Sequence, residues 1–325
     1  MARLIIAGSL GRRIARSPVL HRLMWRLEAA VLWAFWLVSR ALGPDRGAQF
    51  GERLLRWLGP RQRKARHVRR NLEVAHGTER HDIDTLSGDV WGNLGRVLAE
   101  YPHLDRICET EFDRRMEVVI GFDRDALAGN GRPKVFAGAH LANWEVASAA
   151  VRHAGFSCTV IFSPQQNPFV DGMLQHERRA LRCELVAKRD SMRVLARELR
   201  AGRNVGFVID QRVDDGDTIR FFGVDAPTTI APARLALRYG ADIIPVRIER
   251  LEDGRYRVSL LAPLQPDPSL TDKRDQAKQM TAQLYRLFEA WIKERPGQWH
   301  CLKHRWPKPR PANDDGGSIR RAEGA

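Results

Sequence analysis

The sequence predicts an α/β fold, a mixed central sheet flanked by helices, carried behind an N-terminal hydrophobic helix that anchors it to a membrane. Three observations predict it. From Met116 onward, short apolar runs alternate with amphipathic stretches, the pattern of strands and helices taken in turn. Of the 325 residues, 43% are hydrophobic, enough to bury a sizeable core and to argue against wholesale disorder. Ahead of this region lies an unbroken apolar run from Ala29 to Val38, with Arg26 and Glu28 before it and Arg40 closing it.

That run opens the order of elements. A helix crossing a ~30 Å hydrocarbon core needs about 20 mostly apolar residues, and the strict run is about half of that, although arginines at its ends can snorkel and extend it. Residues 1–45 are therefore read as an anchor that lies in the interface or spans marginally, with Trp25, Trp33 and Trp36 suited to the headgroup level. The alternative is an ordinary amphipathic helix buried on one face. No small-residue cleavage signal follows, so no removed signal peptide is expected. Basic residues are then dense: Arg53, Arg56, Arg61, Arg63, Lys64, Arg66, Arg69 and Arg70. Positive charge is expected at this position on the cytoplasmic side of an anchor.

Helical periodicity continues through residues 62–76 and 84–102, where Pro102 fits a helix end. Strands are predicted at 117–121, 134–139, 157–163, 183–187, 204–210, 242–249 and 255–262. Helices are predicted between them at 143–154, 168–181, 190–201 and 228–239, with a longer one at 273–294. Residues 46–306 form the main domain. The segment 307–325, rich in Pro, Gly and charge, reads as a disordered tail.

Charge and cysteines limit the partners. Lys+Arg total 54 against 39 Asp+Glu, a formal charge of +15 with a pI near 10.5, so the surface should attract nucleic acid, acidic lipid headgroups or an acidic carrier protein. Cys108, Cys158, Cys183 and Cys301 are scattered with no CxxC pair, which suggests neither a zinc site nor a disulfide framework but reduced thiols. His300, Cys301 and His304 are metal-ligand types. In their basic, Trp-rich strip they read as lipid headgroup contact or packing, and no metal site is expected.

One stretch carries chemistry. In residues 137–146, AGAHLANWEV, His140 follows an apolar run and Glu145 comes five residues later. Open α/β sheets place their sites just past strand C-termini. With Asn143 capping the next helix, Glu145 falls in its first turn, where a carboxylate can accept a proton from one ring nitrogen and leave the other basic. There is no Ser or Cys nucleophile in the motif, so the pair suits a base that activates a substrate hydroxyl. A strand-to-helix turn with two unrelated residues fits the spacing as well.

The chain resembles the late acyltransferases of lipid A biosynthesis, the lauroyl/myristoyl transferase family within the lysophospholipid acyltransferase-like group. The resemblance runs in order through residues 92–104 (GNLGRVLAEYPHL), 138–146 (GAHLANWEV), 163–171 (SPQQNPFVD), 204–212 (NVGFVIDQR), 221–250 and 298–306 (QWHCLKHRW). It implies a glycerolphosphate acyltransferase-like fold and a catalytic H-x4-D/E pair on His140 and Glu145. It also implies an arginine role on Arg178, with Arg179 as the close alternative, a D-Q element on Asp210 and Gln211, and a strand proline on Pro245. Asn143, Asn167, Arg179, Gln211, Thr228 and Thr229 become substrate-binding candidates. The residues themselves favour reading the two threonines as caps of the helix at 231–240, whose backbone amides could also hold a phosphate. Gln166 stands where an arginine often precedes Asn-Pro, which weakens any phosphate role for that loop. Phe221 and Phe222 read as core or acyl-pocket lining.

The reaction implied is acyl transfer from an acyl-carrier-protein thioester to a hydroxyl of a Kdo-bearing lipid A precursor, at the cytoplasmic face of the inner membrane. His140 is the base, and Arg178 or backbone amides of the 138–143 turn are the oxyanion donors. No metal or redox cofactor is called for; the thioester is a co-substrate. Another glycolipid, such as a phosphatidylinositol mannoside, is an alternative acceptor. A non-catalytic basic protein on membrane or nucleic acid is the rival of another class. No zinc-finger spacing or RNP-type aromatic motif supports a nucleic-acid partner.

Overall fold

The computed structural model describes residues 17–77 and 80–307. The first sixteen residues of the expected anchor and nearly all of the expected tail lie outside this range.

Helix α1, Pro18–Leu58, starts with Pro in its first turn and bends at Gly43, whose φ of 77° is a left-handed value open to glycine, followed by Pro44, which has no N–H to donate. The bend coincides with the expected end of the anchor segment. Its first arm is two-faced. Trp36 is buried and donates Nε1–H to the Leu98 carbonyl (2.8 Å), and Ser39 Oγ bonds the Ala99 carbonyl (2.7 Å). The opposite side exposes Leu20, Leu23, Leu27, Val31, Trp33, Leu37, Val38 and Leu42. Trp36, expected at a bilayer interface, is a core residue instead, because its indole faces the helix packed beneath. Among the described residues no helix is long and apolar enough to cross a membrane.

Helices α2, Ala65–His76, and α3, Arg80–Glu100, follow as the periodicity predicts. The second arm of α1 lies directly on α3. A Cβ on Gly95 would stand 2.0 Å from the Gly51 carbonyl oxygen, and one on Gly51 would stand 2.2 Å from that of Gly95, so both positions demand glycine. After the short helix α4, Phe112–Arg115, the chain enters the sheet at β1, Met116–Ile120.

All seven predicted strands form, each within two residues of its expected ends. β2 is Lys134–Gly138, β3 Cys158–Phe162, β4 Glu184–Ala187 and β5 Asn204–Val208. Between them run α5, Arg124–Gly129; α6, Ala147–His153; α7, Pro168–Arg178; and α8, Ser191–Arg200. Then come β6, Asp217–Phe221, and β7, Val224–Thr228; α9, Ala231–Tyr239; β8, Asp242–Arg250; β9, Tyr256–Leu260; and α10, Lys273–Glu294.

The strands β1–β5, β8 and β9 join in the order β1-β9-β8-β2-β5-β3-β4. From β8 to β4 the pairs are parallel; β9 runs antiparallel to β8 and parallel to β1. The mixed α/β sheet is thus as expected. Strand β2 is buried along its whole length because it is central and covered on both faces. Val135, Ala137, Val205, Phe207 and Ile243 face one core, shared with α9 and α10, and Phe136, Ile244, Val246 and Val258 face the other, shared with α6 and α7.

The β6–β7 hairpin was not expected. Its strands pair antiparallel around Phe222 and Gly223, both at positive φ (52° and 73°), the twist a two-residue hairpin requires. It occupies the start of the segment read as a helix from 228, which begins at Ala231. Phe221 is fully buried among Tyr285, Trp299 and Trp306, so it is core.

Candidate active site

The site forms where β2 and β5 end. These neighbours are parallel and in register, with Gly138 opposite Val208. Two residues further along each strand, His140 therefore meets Asp210. The imidazole Nδ1 lies 2.5 Å from Asp210 Oδ1, which also accepts the His140 backbone N–H at 3.0 Å. Asp210 Oδ2 accepts the Trp299 indole N–H at 2.9 Å. Burial alone would push this carboxyl up, but the imidazole beside it and these N–H donors outweigh burial and hold it below the ordinary carboxylate range. An ionised Asp210 surrounded by donors requires the proton on Nδ1 and leaves Nε2 with its lone pair. The Gln211 amide Nε2 stands 3.4 Å from that nitrogen, and its Oε1 accepts Lys303 Nζ at 2.9 Å, which orients the amide N–H toward the lone pair. A cleft lined by Gln211, Arg212, His300 and Lys303 adjoins Asp210.

The expectation that Glu145 orients His140 is corrected by this geometry. The Glu145 carboxylate is hydrogen-bonded to a different set of groups: Arg178 Nε at 2.9 Å, Arg178 Nη2 at 2.6 Å and Tyr101 Oη at 2.7 Å. The cause is local. Ala142 takes a left-handed φ of 47°, held by its N–H on the Gln298 carbonyl (2.9 Å) and its carbonyl on Asn93 Nδ2 (3.0 Å). The chain then turns through a short 3-10 segment, Trp144–Val146, that carries Glu145 into the interior beneath the turn. Arg178 fits the same pocket, its guanidinium over the Tyr101 and Phe162 rings, and Arg179 is exposed. Despite burial, the Glu145 and Tyr101 partners hold the Arg178 pKa above its ordinary value.

Three residues expected to bind substrate are committed to the protein itself. Asn143 Oδ1 accepts the Glu145 N–H (3.2 Å) and its Nδ2 donates to Glu100 (2.9 Å). Glu100 is in turn clamped by Arg250 and by Tyr256 Oη at 2.5 Å. Asn167 caps α7 through the Phe169 and Val170 amides and donates to the Trp25 carbonyl and Glu28, tying α1 to the body. Thr228 is buried and accepts from Arg305 at 2.5 Å, and Thr229 Oγ1 accepts the Ala231 N–H at 3.2 Å just ahead of α9, whose N-cap position is Ile230. These asparagines and Thr228 lie inside because each saturates buried backbone or charged groups. Gln211 stays beside the base.

Sequence reasoning missed Tyr101 and Trp299 as partners of the two carboxylates, although both lie in the resembling segments. It also missed the position of His300. The backbone N–H of His300 donates to the His140 carbonyl at 2.8 Å, next to a bridge between Leu141 and Trp299. The two imidazole centroids are 6.2 Å apart, and both rings pack on Trp144, at 5.1 Å from His140 and 4.9 Å from His300. Cys301 is buried and His304 stacks on His67 at 3.7 Å. Among the described residues no three His, Cys, Asp or Glu side chains are grouped to hold a metal ion. The thiols of Cys108, Cys158, Cys183 and Cys301 are all pushed up by burial, and Ser148 Oγ is bonded to the Glu145 carbonyl (3.1 Å), so among the described residues no activated nucleophile is seen beside the imidazole.

The sequence model of the bacterial lipid A biosynthesis acyltransferase family matches residues 19–308. Curated relatives in two strains of Mycobacterium tuberculosis, each a phosphatidylinositol mannoside acyltransferase, are 26% identical over 322 residues, 93% of this chain and 95% of the relative. A solved structure, the 1-acyl-sn-glycerophosphate (LPA) acyltransferase PlsC from Thermotoga maritima, covers 76% of this chain and 99% of its own. At 12% identity and a TM-score of 0.35 it carries no argument.

Proposed function

This chain belongs to the bacterial lipid A biosynthesis acyltransferase family, and we propose that it moves a fatty acyl group from a carrier thioester directly to a hydroxyl of an anionic glycolipid at a membrane surface. The observation that carries the reading is the His140–Asp210 pair: Nδ1–H held by a buried carboxylate, Nε2 basic, and no enzyme nucleophile beside it. The acceptor hydroxyl takes the place of the Gln211 amide, 3.4 Å away, at Nε2 and gives up its proton there, and its oxygen attacks the thioester carbonyl. Asp210 supports the imidazolium that forms, and the proton then passes to the leaving thiolate. A positioned base of this kind contributes ~10²–10⁴-fold.

Charge supports the partners. A surface of formal charge +15 attracts an acidic acyl carrier protein and phosphate- or carboxylate-bearing lipid alike. The exposed apolar side of α1, followed by the basic stretch from Arg53, supports docking on a membrane with that side in the interface, at the cytoplasmic face of the inner membrane. For the acceptor, a Kdo-bearing lipid A precursor is the first reading, from the family. A phosphatidylinositol mannoside is the second, favoured by the mycobacterial relatives.

The test offers acyl-carrier-protein thioesters of several chain lengths to purified protein on anionic vesicles containing a lipid A precursor with Kdo, one without it, or a phosphatidylinositol mannoside. Acylation of one glycolipid with matching thiol release is expected. Failure with every acceptor and donor would refute the reading.

A further inference from the structure

The reaction needs a donor for the charge that develops on the thioester oxygen, and most of the groups expected to supply it are already engaged. Backbone N–H groups of the turn are bonded within the protein: His140 to Asp210, Leu141 to the Ala139 carbonyl, Ala142 to the Gln298 carbonyl and Glu145 to Asn143. Arg178 is fixed on Glu145 and Tyr101 through Nε and Nη2, and its buried Nη1 has no partner among the described residues. The Gln211 amide is directed at His140 Nε2, and Lys303 bonds to Gln211.

His300 is differently placed. Its Nδ1 is buried and has no hydrogen-bond partner among the described residues. Its backbone is tied to that of His140, and its ring shares the Trp144 wall with His140 at a centroid separation of 6.2 Å. We propose that His300 is a second catalytic imidazole, which stays neutral and donates its ring N–H to the thioester carbonyl oxygen in the transition state. The inference rests on the acyl-transfer reading and gives that reaction its oxyanion donor.

The step balances without any further reactant. The acceptor O–H bond breaks and its proton goes to His140 Nε2. The new C–O bond forms as the carbonyl π pair moves to oxygen, where His300 N–H meets it. Collapse restores C=O and breaks C–S, and the thiolate receives the proton from His140. An imidazolium at position 300 would compete with protonation of His140 nearby, whereas a neutral ring donates at no such cost. Burial, with the neighbouring His140 adding to it, pushes the His300 pKa down to about 3, in keeping with a ring that is neutral throughout the working pH range.

The experiment compares native protein with His300→Phe and His300→Gln in the vesicle assay. Thermal unfolding is recorded for each, and ¹⁵N-histidine spectra of the native chain are followed against pH. His300→Phe keeps a ring against Trp144 but removes the donor, and should lose ~10²–10³-fold in kcat at little change in KM. His300→Gln, which keeps an N–H, should recover at least tenfold of that loss. The His300 resonance should show a neutral ring down to about pH 4. Native-like kcat in a folded His300→Phe variant, a loss confined to KM, or a cationic His300 at neutral pH overturns the inference while leaving acyl transfer intact. A native protein that acylates no acceptor overturns both.

Discussion

Replacing Asp210 with Asn removes one charge and keeps the shape, and the structure says which proton it misplaces. Every polar group around Asp210 is a donor: His140 Nδ1–H and backbone N–H on Oδ1, and the Trp299 indole on Oδ2. A carboxylate accepts all three, whereas an amide has one oxygen and one NH₂. If the oxygen of the Asn faces His140, the NH₂ opposes the indole N–H, leaving two buried donors unpaired, at a cost of about 1–3 kcal/mol. If it faces Trp299, the NH₂ opposes the imidazole, which can answer only by moving its proton to Nε2 and losing the base. Kinetically, a base–orienter pair deprived of its carboxylate in this way has lost about 10⁴-fold. Asp210→Asn should therefore fold with stability reduced by about 1–3 kcal/mol and transfer acyl groups at least 10³-fold more slowly, read by thiol release in a single turnover. Activity within fivefold of native, in a folded variant, would refute the assignment of Asp210 as the group that sets the His140 tautomer.

Three further outcomes follow from other parts of the molecule. Glu145→Gln or Arg178→Met alone strands a buried charge and should cost about 3–5 kcal/mol in urea unfolding, and the double variant should lose less than the sum; additive losses would mean the pair is not coupled. Gly95→Ala puts a methyl against the Gly51 carbonyl and should destabilise the α1–α3 contact by about 1–3 kcal/mol, seen as faster hydrogen exchange in α1; unchanged exchange contradicts the close approach. His300 has a folded pKa of about 3 against an ordinary 6.5, so between these values the unfolded chain binds a proton the native chain does not. Native stability should fall on acidification through this window by up to roughly 1 kcal/mol per pH unit. His300→Phe should lack that component, and a stability difference between the two that stays constant with pH would contradict a ring held neutral in the fold.

The sheet was legible because its strands are buried apolar runs, and His140 was legible because it ends one of them. The His140–Asp210 contact was not. The two residues are 70 positions apart and meet only because β2 and β5 are parallel neighbours in a register no local pattern encodes. Spacing pointed to Glu145 instead, five residues away in sequence. A left-handed Ala142 and a 3-10 turn carry that carboxylate under the site, and neither is visible in a stretch with no glycine at the turn itself. The Asn143 cap was legible as a short polar residue ahead of a helix; the Asn167 cap carried the same signal, concealed by its resemblance to a ligand position. The β6–β7 hairpin was hidden by Phe222 at the first turn position, where Asn, Asp or Gly would have announced it. The first arm of α1, expected to anchor the chain in a membrane, leaves an apolar side exposed, and the buried Trp36 shows that hydropathy cannot say which side of a helix faces inward.

The central claim is direct transfer to a hydroxyl that His140 has activated. A single-turnover reaction of native protein and His140→Ala with a radiolabelled acyl thioester and glycolipid vesicles, with label followed on both lipid and protein, tests it most directly. The account predicts label passing to the glycolipid with equimolar thiol release, none covalently on the native chain at any time, and at least 10²-fold slower transfer by a folded His140→Ala. Label accumulating on the protein before it reaches the lipid, or near-native transfer without His140, would contradict it.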